Sequence, residues 1–375
     1  MSVKCHFRTH ALQQRSGRLY GSILVAPDPR HHLYGMPILA QITSDDVLDS
    51  AYEWLCRRRR DYSPNSDVWA LRHNWPREKE TIKRELLSGN YRFSLLTRIT
   101  LKDGDDTDLW SARDALVLKA LALVLAKYLP VSPRCTHLKG HGGAKFTVRE
   151  VRDHLAANRF VLRTDVKSYY ASINHLMLLD QLAVHIKDRR VLNLIGQYLR
   201  RTSERGGSFW DHEKGISLGC ALSPLIGGFF LHALDAAAAK LRLFYVRFMD
   251  DILILAPSRW QLRGAVKAVN QTLGALSLEK HPDKTFIGRI ERGFDFLGYH
   301  FSRAGLTVAA KTVTNFIEKA SRLYEQKCRA VSACAALEMY VKRWVRWTTS
   351  GRIDLLDHRD VPSLGYALAR VPADQ

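Results

Sequence analysis

Two adjacent aspartates interrupt an apolar, β-branched run at Val246–Leu255, VRFMDDILIL. Val246, Phe248, Met249, Ile252, Leu253, Ile254 and Leu255 suit a buried, pleated strand. Asp suits it poorly, and two like charges placed together are unfavourable unless a cation neutralises them. The stretch therefore reads as strand, tight turn, strand, with Asp250 and Asp251 projecting together from the turn. Hard carboxylate oxygens suit Mg²⁺. A third carboxylate nearby in space is then expected.

FVLRTDVKSYYASI (160–173) supplies one: apolar Phe160, Val161 and Leu162 lead into Asp165, where the strand ends. A single Asp is more often an ordinary turn residue. A pair inside an apolar hairpin, with a strand-end Asp about 85 residues upstream, is not read that way. Three carboxylates on adjacent strands can hold two metals about 3.5–4 Å apart, the clamp used for in-line phosphoryl transfer.

Charge points to the same chemistry. Lys plus Arg number 57 against 37 acids in 375 residues, a formal charge of +20. Such an excess favours a polyanionic partner, nucleic acid first and an anionic membrane second. With 46% hydrophobic residues the chain is globular. No apolar run approaches the ~20 residues that span a bilayer, and the start lacks a signal-peptide core. The six cysteines form no CxxC pair, which argues against a zinc site or a disulfide framework. A cytoplasmic, membrane-free protein is expected.

Along the chain, helices are predicted over 46–60, ending in four arginines that suit a phosphate contact or a solvated helix end equally, over 76–88, with Pro76 in its first turn and Gly89 after its end, and over 112–129. Residues 90–101 alternate like a strand, 102–106 read as a turn, and LKGHGGAK (138–145) is a Gly-rich basic loop. Residues 160–301 mix strands and helices, and 305–350 are helical and basic. The fold class is α+β, with a mainly antiparallel sheet carrying the aspartates.

These residues resemble a family. RTDVKSYYASINH (163–175), GISLGCALSPLIGGFFLHALD (215–235) and YVRFMDDILIL (245–255) resemble motifs A, B and C of reverse transcriptases of the bacterial group II intron and retron type. LSLEKHPDKTFIGRIERGFDFLGYHF (276–301) resembles motif D and the primer-grip hairpin that follow. LLSGNYRFS (86–94) and SARDALVLKAL (111–121) resemble the fingers motifs. The resemblance covers roughly 65–350 and implies a right-hand polymerase. Its parts would be an N-terminal extension (1–64), fingers (65–159), palm (160–302, with a fingers-helix insertion about 176–214), thumb (303–350) and a tail (351–375). A stand-alone enzyme without an endonuclease or ribonuclease H domain is expected.

The resemblance also implies roles. Asp165, Asp250 and Asp251, with the Val166 carbonyl, would hold two Mg²⁺, or Mn²⁺ in their place. Tyr170 would be the aromatic gate against a ribose 2′-hydroxyl. Gly215, Gly219, Ser223 and Pro224 would shape the floor beneath the incoming dNTP, and Lys284 would meet the pyrophosphate. Lys102 and Arg113 would meet the triphosphate, and Phe296, Leu297 and Gly298 would form the primer grip. Lys139, Lys145, Lys342, Arg343 and Arg346 would hold an RNA template and a DNA or RNA primer by their phosphates. Tyr340, Trp344 and Trp347, at helical spacing, are read first as core packing.

The sequence departs from the family pattern in three places. Leu218 stands where motif B usually has Gln, Phe248-Met249 where Tyr and a small residue are commoner, and GDDTDLW (104–110) offers acids where an Arg is expected. The leading expectation is an RNA-directed DNA polymerase, with a dedicated non-coding RNA as a candidate partner. The departures motivate two rivals: a template-independent or protein-primed polymerase of a phage-defence system, and a maturase-like RNA-binding protein.

Overall fold

Continuous rather than alternating apolar runs build the central sheet, and the computed structural model shows why. It describes residues 36–100, 106–325 and 332–350. In chain order the strands are β1 (Leu96–Thr100), β2 (Asp106–Leu109), β3 (Phe160–Thr164), β4 (Thr202–Arg205), β5 (Ser208–Asp211), β6 (Phe244–Phe248), β7 (Asp251–Ala256), β8 (Phe286–Arg289), β9 (Phe294–Phe296), β10 (Tyr299–Ser302) and β11 (Gly305–Val308). The central sheet has the order β6-β7-β3-β8 and is antiparallel throughout. Leu162, Ile252 and Ile254 point into the main core, with Leu262, Ala265, Val269 and Leu273 of the helix Arg259–Ala275. Val161, Val246, Leu253 and Leu255 point into a second core, with Val148, Val151 and Leu155. Both faces are covered, so the strands read as mainly apolar runs, with Thr164 and Arg247 as buried polar exceptions.

A second sheet, β2-β1-β4-β5, joins residues 96–109 to residues 202–211 through a parallel β1–β4 pair. A third, β11-β10-β9, extends the second core. The mixed α+β class with mainly antiparallel sheets matches the expectation.

The helices follow their local signals. Asp45–Arg58 has acids in its first turn and arginines in its last, complementing the helix dipole. Trp75–Ser88 ends at Gly89 in the left-handed region, φ 75°. Ala112–Leu125 is apolar on nearly every side and runs through the main core, capped by the Ser111 hydroxyl accepting from the Asp114 N–H. Leu39, Ile42, Leu48 and Leu55 belong to that same core, so the boundary expected after residue 64 falls inside one packed unit.

Three local readings change. Residues 90–95 are not strand, because side chains take their backbone donors: Gln197 Oε1 accepts from the Phe93 N–H at 3.3 Å and Asp114 from the Ser94 N–H at 3.0 Å. Of the four arginines closing the second helix, Arg59 turns inward. It donates to the Trp110 carbonyl at 2.6 Å and pairs with Asp67 at 3.2 Å, so it is a brace rather than a phosphate contact. The helix predicted to 129 stops at Leu125, followed by tight turns.

At the C-terminal side, Ala310–Glu325 packs against Ser332–Ser350. Phe316 stacks on Tyr340 and Trp344 at ring separations of 5.5 and 4.1 Å, and Trp347 stacks on Tyr299 at 5.0 Å. The aromatic stripe is core packing. Among the described residues no helix is long and apolar enough to cross a membrane.

Candidate active site

β3 ends at Thr164, and the next residue is Asp165, 6% exposed. Its backbone is pinned: its carbonyl accepts from the His281 N–H at 2.7 Å, and the Lys167 N–H donates to the Glu279 carbonyl at 2.9 Å. Val166 faces Lys280 between those two bonds, and its carbonyl takes part in neither. The partner strand delivers the other two carboxylates. Phe248 pairs with Asp251, so Met249 and Asp250 are the two residues of the β6–β7 turn and Asp251 opens β7.

Met249 sits at φ 59°, a conformation that costs a side-chain-bearing residue about 1–2 kcal/mol. Both of its peptide groups are held. The Met249 N–H donates to His137 Nδ1 at 3.2 Å, and its carbonyl accepts from Arg247 Nη1 at 2.9 Å. Arg247 is fully buried. It forms a two-pronged pair with Asp235 at 2.7 and 2.8 Å and donates to the Gly228 carbonyl at 2.6 Å. His137 Nε2–H donates to the Pro224 carbonyl at 3.0 Å, tying the turn to the helix Ser223–Phe230. Burial lowers the His137 pKa to about 4, so its ring is neutral, with one donor and one acceptor for those two bonds. Sequence reasoning missed both residues. Arg247 carried a signal, a charge inside an apolar strand; His137 carried none.

The site concentrates negative charge. Burial, and then the Asp165 carboxylate within hydrogen-bonding reach, push Asp250 up to about 7. Burial also raises Asp251, against the pull of Arg163 at 3.4 Å. Lys284 Nζ lies 2.5 Å from Asp165 Oδ2, which raises the lysine in turn. Arg163 also donates to the Lys284 carbonyl at 3.0 Å, linking the two cations' chain segments. The donor type fits a hard divalent cation, because the Asp165–Asp250 pair is a repulsion that such an ion relieves. The gathering of donors is incomplete. Asp251 is turned to Arg163, and among the described residues no three His, Cys, Asp or Glu form a ready metal cage.

The other expected residues divide. Tyr170 lies close enough for Asp250 to raise its pKa, and its hydroxyl is buried without a hydrogen-bond partner among the described residues. Its ring fits because position 227 is glycine: a Cβ there would lie 2.9 Å from Tyr170 Cε1. Gly215, φ 81°, packs on the 170–171 backbone, where a Cβ would meet the Tyr170 carbonyl oxygen at 2.8 Å. Gly219, φ 74°, sits in an open loop beside Leu218, which is 65% exposed. Pro224 opens its helix and offers its carbonyl to His137.

Four of the expected residues are buried or committed within the fold. Ser223 is 1% exposed. It donates to the Ser217 carbonyl and meets Tyr198 Oη, so it shapes the loop from inside. Arg113 is committed to Glu85 at 3.0 Å and Glu78 at 3.5 Å, over the Tyr91 ring. Lys145 donates to Tyr299 Oη and the Trp347 carbonyl and lies 3.8 Å from the Trp347 ring centre; burial lowers it to about 8. It is an internal tie, not a free phosphate contact. Phe296 is 1% exposed in the second core, while Leu297 and Gly298 form the β9–β10 turn, with Trp347 against Gly298.

Lys139, Lys342, Arg343 and Arg346 are exposed, with Lys342 beside Glu338. Lys102 lies outside the described residues. The acids of β2 are spent within their sheet: Asp108 pairs with Arg98 at 2.9 Å and Asp106 with Arg205 at 3.3 Å.

A family model described as reverse transcriptase (RNA-dependent DNA polymerase) matches residues 114–301, half of the chain. The chain is 22% identical over 275 residues to Protein YkfC of Escherichia coli (strain K12), covering 60% of this chain and 71% of that protein. It is 22% identical over 169 residues to the group II intron-encoded protein LtrA of Lactococcus lactis subsp. cremoris, covering 44% and 28%. It is 20% identical over 328 residues to the putative COX1/OXI3 intron 1 protein of Saccharomyces cerevisiae, covering 71% and 39%. A solved chain in a partial Cas6-RT-Cas1–Cas2 complex aligns with a TM-score of 0.40 at 17% identity, over 68% of this chain and 44% of that one. This chain thus spans less than half the length of the intron-encoded relatives and of that solved chain. The family model covers the three aspartates, the Tyr170 loop and the hairpin after Lys284, and the chain belongs to the reverse transcriptase (RNA-dependent DNA polymerase) family.

Proposed function

We propose that this protein extends a primer 3′-hydroxyl with dNTPs on an RNA template, at a site made by Asp165, Asp250 and Asp251. The observation that carries this reading is the Asp165–Asp250 pair: two close carboxylates, one pushed up to about 7, at the ends of adjacent central strands. When bound by these aspartates and the Val166 carbonyl, two Mg²⁺ or Mn²⁺ ions would supply Lewis acidity to the attacking hydroxyl and charge to the triphosphate. The chain's own residues do the rest. Lys284 stands ready to leave Asp165 for a phosphate oxygen, and Arg163 holds Asp251 until it is needed. Tyr170, wedged against Gly227, closes the space where a 2′-hydroxyl would sit. The central sheet is assigned as palm, the sheet β2-β1-β4-β5 with the helices before it as fingers, and the last two helices as thumb.

A second reading, polymerisation without a template, draws support from Leu218 and from the internal commitment of Arg113, Asp106 and Asp108. One experiment separates them. Purified protein is given defined RNA templates, primers and dNTPs, and the products are sequenced. Complementary product, lost by at least about a thousandfold in Asp250→Asn and Asp251→Asn with duplex binding intact, supports the first reading. Product unrelated to the template supports the second. Activity surviving both substitutions would sink the site assignment.

A further inference from the structure

A groove of about 610 Å³ runs between β8 and the helix Arg259–Ala275. Its walls carry Arg259 and Arg263 from the helix and Arg289 and Arg292 from β8 and the turn after it; Phe160 and Ile287 lie between them. All four arginines are exposed, and no acid lines the groove. Among the described residues Arg259, Arg263 and Arg292 form no ion pair, and Arg289 has only a loose one, 3.8 Å from Glu291. The helix has no acid in 17 residues, and Arg259, Arg263 and Lys267 repeat at four-residue spacing. Like charges so spaced destabilise a helix, so the fold gains nothing from them. Trp260 is 77% exposed, with the Arg263 guanidinium 5.2 Å from its ring centre. Ile287 is 45% exposed on the edge strand of the sheet.

The groove is not part of the aspartate site. Phe160 begins β3 and Asp165 follows its end, so the two lie about 16 Å apart along the strand. Exposed arginines with one loose ion pair among the four, an exposed indole and an apolar floor are the parts of a single-strand platform, in which phosphates meet guanidinium groups and bases stack on rings.

We propose that this groove binds a single-stranded stretch of the RNA template, outside the primer–template duplex. The proposal rests on the polymerase reading. It adds a second grip on the same strand, at the end of the sheet opposite the aspartates. A membrane partner would call for a broad apolar face; this surface is concave, with isolated apolar residues between charges.

The test compares a labelled primer–template with a few unpaired template nucleotides against the same duplex with a long single-stranded RNA overhang. The wild type should bind the long-overhang form at least tenfold more tightly. Arg259→Gln/Arg263→Gln/Arg289→Gln/Arg292→Gln should lose that advantage and reduce the slope of log affinity against log salt by about 3. Trp260→Ala should lose severalfold. Extension of the short-overhang substrate should be unchanged in both. A 4-thiouridine placed in the overhang should crosslink to 259–275 or 286–292 in the wild type, a readout independent of the variants' folding. An overhang advantage retained by the quadruple variant, or crosslinks confined elsewhere, would overturn the proposal. So would loss of binding to phosphatidylglycerol vesicles with overhang binding unchanged. A wild type that shows the overhang advantage yet extends no primer refutes the polymerase reading instead.

Discussion

At Asp250 the chain keeps a carboxyl whose charge is unwelcome, being buried beside Asp165. The folded protein retains a proton there up to about pH 7, whereas the unfolded chain releases it near pH 4. Between those values the native state binds the extra proton, so stability falls as pH rises from about 4 to about 7. Urea unfolding in chelator should show that decline, and Asp250→Asn should flatten it; an unchanged slope would mean the carboxyl titrates normally. His137 acts one residue away. Without its ring the Met249 N–H and the Pro224 carbonyl lose their partner. His137→Ala should cost about 1–3 kcal/mol and slow single-nucleotide incorporation at least tenfold, with His137→Gln recovering part of both. The aspartates were legible because two acids inside a strand demand an explanation. His137 was not, because its partners lie 87 and 112 positions away. Arg113, Lys145 and Ser223 were singled out for residue type and motif position, but Glu85, Trp347 and Ser217 hold them, and no local pattern announces such partners.

Among the elements, the helix Ser223–Phe230 has the most demanding packing near the site. Gly227 and Gly228 cost it helix propensity, yet the first makes room for Tyr170 and the second sits against His137. Gly227→Ala should therefore gain about 1 kcal/mol of propensity and lose about 1–3 kcal/mol to overpacking, a net loss of up to about 2 kcal/mol. Its larger effect should be on the ring: the ratio of dNTP to rNTP incorporation should fall, as it should in Tyr170→Ala. An unchanged ratio in both would remove Tyr170 from substrate selection. Periodicity located the helices well, because amphipathic spacing and caps are local. It misread 90–95, where Asp114 and Gln197 divert the Ser94 and Phe93 backbone donors that a strand would have used.

For the whole molecule, the charge excess and the paired cores set the terms. The central sheet is covered on both faces, so on the proposed reading its functional end is the strand termini at the aspartates, and most of the basic residues are left to the outer surfaces. Lys342, Arg343 and Arg346 are exposed on the last helix. Replacing all three by Gln should weaken duplex binding on every sequence alike and reduce its salt slope by about 2–3, read by titration at several ionic strengths. An unchanged slope would place the duplex elsewhere. Fold class was readable from the chain because strand and helix periods are local. The joining of residues 96–109 to 202–211 in one sheet was not, because strand pairing at that separation leaves no periodic trace.

That joining also bears on how the protein is made. The parallel β1–β4 pair sets Leu96 beside Ser203, so β1 leaves the ribosome with one edge open and stays so while about a hundred more residues are synthesised. For that interval an unpaired strand is exposed in a growing chain, the situation most prone to pairing with a neighbour. Closing so large a loop is slow. The completed sheet is thus a late product of synthesis, and the nascent chain's safety depends on how soon β4 emerges.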